Sequence, residues 1–332
     1  MVLITRNQEW NVARLVQSVL READTTGGAD VVLVDSNSND RTAEIAASYP
    51  VRVLRLRGDQ PLSPAAGRYV GFHEVTGDSV LFLDGDMELC AGWLGPALAA
   101  MRAEPDIGGL TGPLLEGPLG TAVEPPNRAA EPRELRHSGG AVLHRRSALA
   151  RVGPFNPYLR SDEEPELCLR LRHAGFRIVE LPDPIARHYS ELDTRLPTLF
   201  KRWRRGLYLG AGQSIRHQLH GPLLWPYVRE RGFGLVPGAA LLSGAAAILV
   251  ARVTGQRSLQ RAWLALVGTL LAADAYRKRS AARTLHSLVL RLLILEGTIR
   301  GFAERPRDPA EYPARFEVVE GSRPSKDEPA SA

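Results

Sequence analysis

Across residues 2–188, short β-branched apolar runs alternate with helix-length amphipathic segments, and this alternation limits the fold more than any single motif. Residues 2–4, 31–34, 51–56 and 80–83 have strand character, whereas 12–23, 42–48, 65–75 and 93–102 carry helical spacing. Strand–helix units of this length bury their apolar faces only as a mainly parallel sheet with helices on both sides, a doubly wound α/β architecture. Further strands are expected at 139–144, 176–180 and 185–188, with a helix at 162–174 between the first two. The stretch 112–136 is rich in Pro, Gly and Glu without periodicity, so it reads as a long loop, either a lid or an unstructured insertion.

Charge divides the chain more sharply than its average suggests. The net charge of +5 over 332 residues hides a nearly neutral part, 1–214, with 25 Lys+Arg against 27 Asp+Glu. Residues 215–307 hold 14 basic and 4 acidic residues, and that stretch also contains the longest uncharged run, 232–251, between Arg231 and Arg252. Twenty residues of helix reach about 30 Å, the hydrocarbon thickness of a bilayer. Basic residues beside apolar helices read as lipid-headgroup contacts before they read as nucleic-acid contacts, so nucleic acid is not an expected partner. Two weaker apolar segments follow, 262–276 and 285–302; the three admit a membrane hairpin, an interfacial arrangement or a buried helical bundle. The tail from 305 to 332, rich in Pro, Glu and Ser, is expected to be disordered. Cys90 and Cys168 are too few for a disulfide scaffold. No basic, signal-like segment precedes the first strand, which gives the expectation of a cytosolic N-terminal unit.

Three motifs carry chemistry. The hydrophobic strand 80–83 runs into Asp84-Gly85-Asp86, two carboxylates at a strand's C-terminal edge, where α/β sheets bind ligands. Such oxygen ligands suit Mg²⁺ or Mn²⁺, with phosphate oxygens completing the coordination, although chance Asp pairs in turns are common. The strand 31–34 runs into Asp35, placed to accept from a ribose or a base, and Asp40 stands where it would cap the next helix. Acidic residues crowd the start of the helix at 162–174, in Ser161-Asp162-Glu163-Glu164-Pro165-Glu166. They read either as complements to the helix dipole or as a general base.

Taken together and in order, these segments resemble family 2 glycosyltransferases of the GT-A fold over about residues 1–215. The matching segments are ITRNQEWNVARLVQSVL, VVLVDSNSNDRTAEIA, LSPAAGRYVGFHEVTGDSVLFLDGDMEL, GGAVLHRRSALARVGPFNPYL and EEPELCLRLRHAGFRIVELPDP. The resemblance extends to a membrane-associated subset in which hydrophobic helices follow the catalytic domain, here 216–304. It implies inverting transfer of a sugar from a UDP- or GDP-linked donor to a lipid-linked or membrane-proximal glycan acceptor in envelope or polysaccharide synthesis. The enzyme would lie on the cytoplasmic membrane with its catalytic domain in the cytosol. On this reading Glu164 is the base, with Glu163 beside it. Thr5, Asn7, Asp35, Arg68 and Asp84 bind the nucleotide sugar. Asp84 and Asp86, with His188 as a third candidate, hold the metal. Arg202 and Trp203, in LFKRWRRG, contact the diphosphate or anchor the domain to lipid, as does Arg205. Two other classes stay open: a nucleotidyltransferase, disfavoured because residues 5–11 contain no Gly, and a non-catalytic membrane scaffold on a degenerate transferase domain, to which Gln8 and Ser36 lend weight.

Overall fold

The computed structural model describes residues 1–121, 131–189 and 195–320. The described residues fall into two units, one of 1–121, 131–159, 163–189 and 307–320, the other of 160–162 and 195–306. Residues 195–215, expected with the first unit, group with the second.

In chain order the first unit contains β1 (Val2–Thr5), α1 (Val12–Thr25), β2 (Val32–Asp35), α2 (Thr42–Ala47), β3 (Arg52–Leu56), α3 (Pro64–Glu74), β4 (Ser79–Asp84) and β5 (Met87–Leu89). It continues through α4 (Leu94–Ala103), β6 (Ile107–Thr111), β7 (Leu114–Glu116), β8 (Arg133–Leu135), β9 (Val142–Arg145) and α5 (Arg146–Val152). After α6 (Glu163–His173), β10 (Arg177–Glu180) and β11 (Ala186–His188), the unit is closed by β12 (Phe316–Val318). Nine strands form one sheet in the order β12-β3-β2-β1-β4-β9-β6-β10-β8, and β5-β11-β7 form a second. The expected GT-A-like α/β architecture is what the chain adopts.

Alternation along the central strands builds two cores. Leu3, Leu33, Leu81 and Leu83 face α1 and α4, while Val2, Ile4, Val34 and Phe82 face α3 and α6. A sheet covered on both faces explains why β1, β2 and β4 read as continuous apolar runs. Ser63 caps α3 by accepting from Ala66 N at 3.1 Å, with Pro64 in the first turn. A Cβ on Gly71 would stand 2.2 Å from Val2 Cγ1, so only glycine lets α3 lie this close to β1.

Several elements differ from expectation. The segment 112–136 is not one loop: its ends supply β7 and β8, while 122–130 lie outside the described residues. The tail is not disordered up to residue 320. Phe316–Val318 pairs antiparallel with β3, and Tyr312 is buried, its hydroxyl donating to Pro61 O at 2.8 Å and its ring edge-on to Tyr69 and Tyr158. Two aromatic anchors therefore outweigh the polar composition. Residues 321–332 lie outside the described residues.

The second unit is helical: α7 (Leu196–Arg204), α8 (Gly210–His217), α9 (Leu224–Arg231), α10 (Val236–Thr254), α11 (Ser258–Lys278) and α12 (Ala281–Ala303). One helical run among the described residues, Leu224–Thr254, is long and apolar enough to cross a membrane by length and composition. The helix expected over 262–276 is longer, 21 residues, and none of them is buried.

Two stability predictions follow from these placements. Tyr312→Ala should lower the unfolding free energy by about 3 kcal/mol or more, read by urea denaturation; an unchanged midpoint would mean that the tail does not dock. His144, fully buried on β9 with Nδ1 on Gly108 O at 3.0 Å, has its pKa pushed by burial from 6.5 down to about 4. The unfolded chain then binds the proton first. Stability that is complete above pH 6.5 is lost as pH falls toward 4, by on the order of 3 kcal/mol. Urea titrations across that range should show the slope, and His144→Gln should flatten it.

Candidate active site

Parallel pairing aligns the strand ends that carry the polar residues. Thr5 lies opposite Asp35, and Ile4 opposite Asp84, so both acids emerge at the same C-terminal edge of the sheet. On the β2 side, Asp35 is fully buried. Its carboxylate accepts from Ser38 N at 2.9 Å, from the Ser38 hydroxyl and from Thr5 Oγ1 at 3.4 Å, with Arg55 Nε at 3.6 Å. Asn7, at φ 55°, donates its N–H to Ser38 Oγ at 2.8 Å and accepts from Asn39 N at 3.0 Å. The loops after β1 and β2 are thereby stitched into one cradle. Asp40 accepts from Thr42 N at 3.0 Å ahead of α2, but the cap position expected for it falls on Arg41, whose side chain makes no cap bond. Within the cradle Asn7 is exposed, whereas Thr5 and Asp35 shape it from beneath.

The centre of the site is Arg68, on α3 and fully buried. Its Nη2 lies 2.6 Å from Asp84 Oδ1 and 2.9 Å from Glu164 Oε1, and its Nη1 lies 2.8 Å from Glu163 Oε1. The guanidinium stands 5.3 Å from the Phe155 ring centroid. Arg68 was expected to contact the nucleotide sugar or its diphosphate; instead both its terminal nitrogens are held by protein carboxylates, because a buried guanidinium needs anionic partners. Gly140 makes room for this arrangement, since a Cβ there would sit 2.0 Å from Asp84 Oδ2.

One guanidinium does not balance three carboxylates. Burial raises the pKa of Glu163, and the neighbouring Glu164 raises it further against the pull of Arg68. Burial likewise pushes Asp84 upward, relieved in part by Arg68. Of the two glutamates, Glu164 is the more open, with 18% of its side chain exposed against 6% for Glu163. It is therefore the better placed to meet a substrate proton, and Glu163 the more deeply held.

Beside this cluster, β11 brings His188 opposite Met87 and Glu116. His188 Nε2 lies 3.4 Å from Asp86 Oδ2, and Nδ1 lies 2.9 Å from Glu116 Oε2. The hydrogen bond to Asp86, aided by Glu116, lifts the imidazole from 6.5 to about 9. Asn11 Nδ2 donates to Gly85 O at 3.0 Å and Met87 O at 2.9 Å, and Tyr189 N donates to Asp86 O at 2.9 Å; together they hold the turn that presents Asp86.

The expected metal set of Asp84, Asp86 and His188 is thus split. Asp84 is committed to Arg68, and among the described residues no group of three His, Cys, Asp or Glu is arranged around an ion position. Asp86 and His188 remain together, an oxygen and an imidazole nitrogen whose other ring nitrogen faces a carboxylate. That donor pair fits a divalent ion, bound mainly through substrate oxygens and water, only if the ion displaces the proton that Nε2 otherwise shares with Asp86. Arg202 and Trp203 belong to the helical unit. There the Trp203 indole donates to Glu296 Oε2 at 2.6 Å and lies under Arg300, while Arg202 is exposed. Asn11, Glu116 and Gly140 escaped the sequence reading. Glu116 and Gly140 become legible only through strand pairing and close approach, and Asn11 only through its backbone partners.

The fold, with acids at the carboxyl ends of the parallel strands of a mixed sheet, is GT-A-like. Residues 1–153 match the family model described as Glycosyl transferase family 2. The chain is 28% identical over 282 residues to the pre-mycofactocin glycosyltransferase of Mycobacterium tuberculosis, an alignment covering 77% of this chain. It spans about half the length of that relative, 56%. Among solved structures, a mannosyltransferase from Pyrobaculum calidifontis in complex with GDP-Man and Mn²⁺ superposes with a TM-score of 0.59 at 17% identity, covering 90% of this chain and 85% of that one. Staphylococcus aureus TarS 1–349 in complex with UDP-GlcNAc gives 0.53 at 17% identity, covering 97% and 96%.

Arg68→Gln should destabilise the catalytic unit by roughly 3–5 kcal/mol, because it strands buried carboxylates. Adding Glu163→Gln should recover part of that loss. Denaturation of the single and double variants checks the coupling, and purely additive effects would contradict it.

Proposed function

We propose that this chain is an inverting, divalent-metal-dependent glycosyltransferase. It moves a sugar from a UDP- or GDP-linked donor to a hydroxyl on a lipid-linked or membrane-proximal glycan, in envelope or polysaccharide synthesis. The observation that carries the proposal is the junction of Asp84, Glu163 and Glu164 on the buried Arg68, beside the Asp86–His188 pair, at one sheet edge. The relatives are glycosyltransferases by name, and the structural neighbours hold GDP-Man with Mn²⁺ or UDP-GlcNAc, which supports a nucleotide-sugar donor and a divalent ion.

Glu164 removes the proton from the acceptor hydroxyl as the new C–O bond forms at the anomeric carbon. The bond to the diphosphate breaks on the opposite face, so configuration inverts and the proton ends on Glu164. A Mg²⁺ or Mn²⁺ held by Asp86 and His188 would neutralise the charge that collects on the departing diphosphate. Asn7 and the loops that Asp35 holds receive the nucleotide, with Thr5 beneath them. On this reading the enzyme lies on the cytoplasmic membrane with the catalytic unit in the cytosol, a setting that the exposed apolar run and basic flanks of the helical unit support.

Glu164→Gln should reduce turnover by about 10²–10⁴-fold while donor binding persists, as expected for loss of a general base. Asp86→Ala should abolish transfer with Mg²⁺ or Mn²⁺ present and leave the fold intact. A donor screen by thermal shift, followed by transfer assays on both variants, makes the measurement. Near-normal turnover in Glu164→Gln would move the base elsewhere.

A further inference from the structure

The β5-β11-β7 sheet has two faces, and the site described above uses one of them. His188 and Arg187 are consecutive in β11, so the pleat points them to opposite faces. Pairing carries the separation across the sheet: His188 stands opposite Met87 and Glu116, Arg187 opposite Glu88 and Leu115. On the Arg187 side lies a cavity of about 790 Å³, into which Arg14 and Arg21 also reach from α1. Its size falls within the range of small-molecule sites, roughly 300–1,000 Å³.

The charge in this cavity has one sign in excess. Three guanidiniums face one carboxylate, Glu88, which already accepts from the Tyr189 hydroxyl at 2.5 Å and lies 3.8 Å from Arg21 Nη2. Arg14 and Arg187 each give one N–H to a main-chain carbonyl, of Trp10 and Thr121 respectively, both at 2.8 Å. Those bonds orient the guanidiniums and leave further donors on each, since arginine carries five N–H groups. Leu115 adds an apolar wall. Three arginines lining one cavity with an apolar side suit a tetrahedral oxyanion carried on a small organic body.

We propose that this cavity binds a phosphate-bearing ligand of sugar-phosphate size, back to back with the Asp86–His188 pair across the strand β11. The proposal is independent of the transfer reaction, and Cys90 offers a test that is independent as well. Cys90 lines the cavity and is partly exposed, whereas Cys168 is fully buried. Alkylation of the native full chain therefore reads this cavity.

The rate of Cys90 alkylation should be followed with inorganic phosphate, with glucose 1-phosphate and with neutral glucose, at constant ionic strength. Millimolar glucose 1-phosphate should slow labelling, and glucose should not. Equal protection by inorganic phosphate assigns the site to the free anion, and stronger protection by glucose 1-phosphate to the sugar phosphate. Arg187→Gln should raise the half-protecting concentration about tenfold, as expected for a lost charge-assisted contact. Arg14→Gln on the exposed face of α1 serves if the first variant does not fold, and protection is compared as a ratio within each variant. Asp86→Ala should leave protection unchanged. Absence of protection, equal protection by glucose, or protection indifferent to loss of either arginine would overturn the proposal. None of these readings requires transfer to occur.

Discussion

A fully buried guanidinium is costly unless anions surround it, and Arg68 meets that cost with three carboxylates drawn from distant parts of the chain. Asp84 comes from the end of β4, Glu163 and Glu164 from the first turn of α6, and Arg68 itself from α3. Each element has a reason to be where the charge needs it. The α3 backbone reaches β1 because Gly71 has no side chain, and Gly140 leaves the space that Asp84 fills. Loss of one carboxylate would leave the cluster folded, but loss of the arginine would leave two or three carboxylates facing one another. Burial drives the upward drift of Glu163 and Asp84, and the surplus negative charge adds to it. The surplus charge also suits the roles proposed for this centre, accepting a proton and lying beside a cation.

The second organising constraint is the pleat of a three-residue strand. In β11 the alternation that turns His188 toward Asp86 turns Arg187 the other way. Glu116 on β7 enters the site only because that strand runs parallel to β11 in this register. A slip of one residue would exchange the two faces and put an arginine beside Asp86. Asn11 and Tyr189, by holding the carbonyls of the Asp84–Met87 turn, fix the facing geometry without touching the acids' own oxygens.

The α/β class and the first four strands with their helices were legible in the sequence, since continuous apolar runs and helical periods are local properties. So were the positions of Asp35, Asp84, Asp86 and Glu164 at element ends. The commitment of Asp84 to Arg68 was not, because nothing local shows that a residue 16 positions upstream will be buried against it. The strand β6 was hidden by Gly108 and Gly109, which have no side chains to create a pattern; they lie against Phe176 and His144. The pairing of β12 with β3 was hidden by a polar, Pro-rich context in which Tyr312 and Phe316 supply the anchoring. In each case the deciding contact is long-range, and composition averages it away.

In the helical unit the same distinction between local pattern and contact bears on membrane attachment. Among the described residues only the run Leu224–Thr254, which ends in α10, is long and apolar enough to cross a membrane, since Arg261, Asp274, Arg277 and Lys278 make α11 more polar. Burial gives a different weighting. In α11 no residue is buried, and Leu264, Leu266 and Leu270 are each more than half exposed. The two helices are joined side by side: Trp263 donates to Ser243 Oγ at 3.1 Å, and a Cβ on Gly244 would meet its ring at 2.7 Å. At the far end of α11, Asp274 pairs with Lys278 at 2.8 Å and accepts from Thr284 at 2.8 Å, so its charge is compensated within the unit. An apolar surface of this extent is a liability in water and an asset in lipid. The pair α10–α11, rather than α10 alone, is therefore the element whose exposed side chains the proposed membrane setting accounts for.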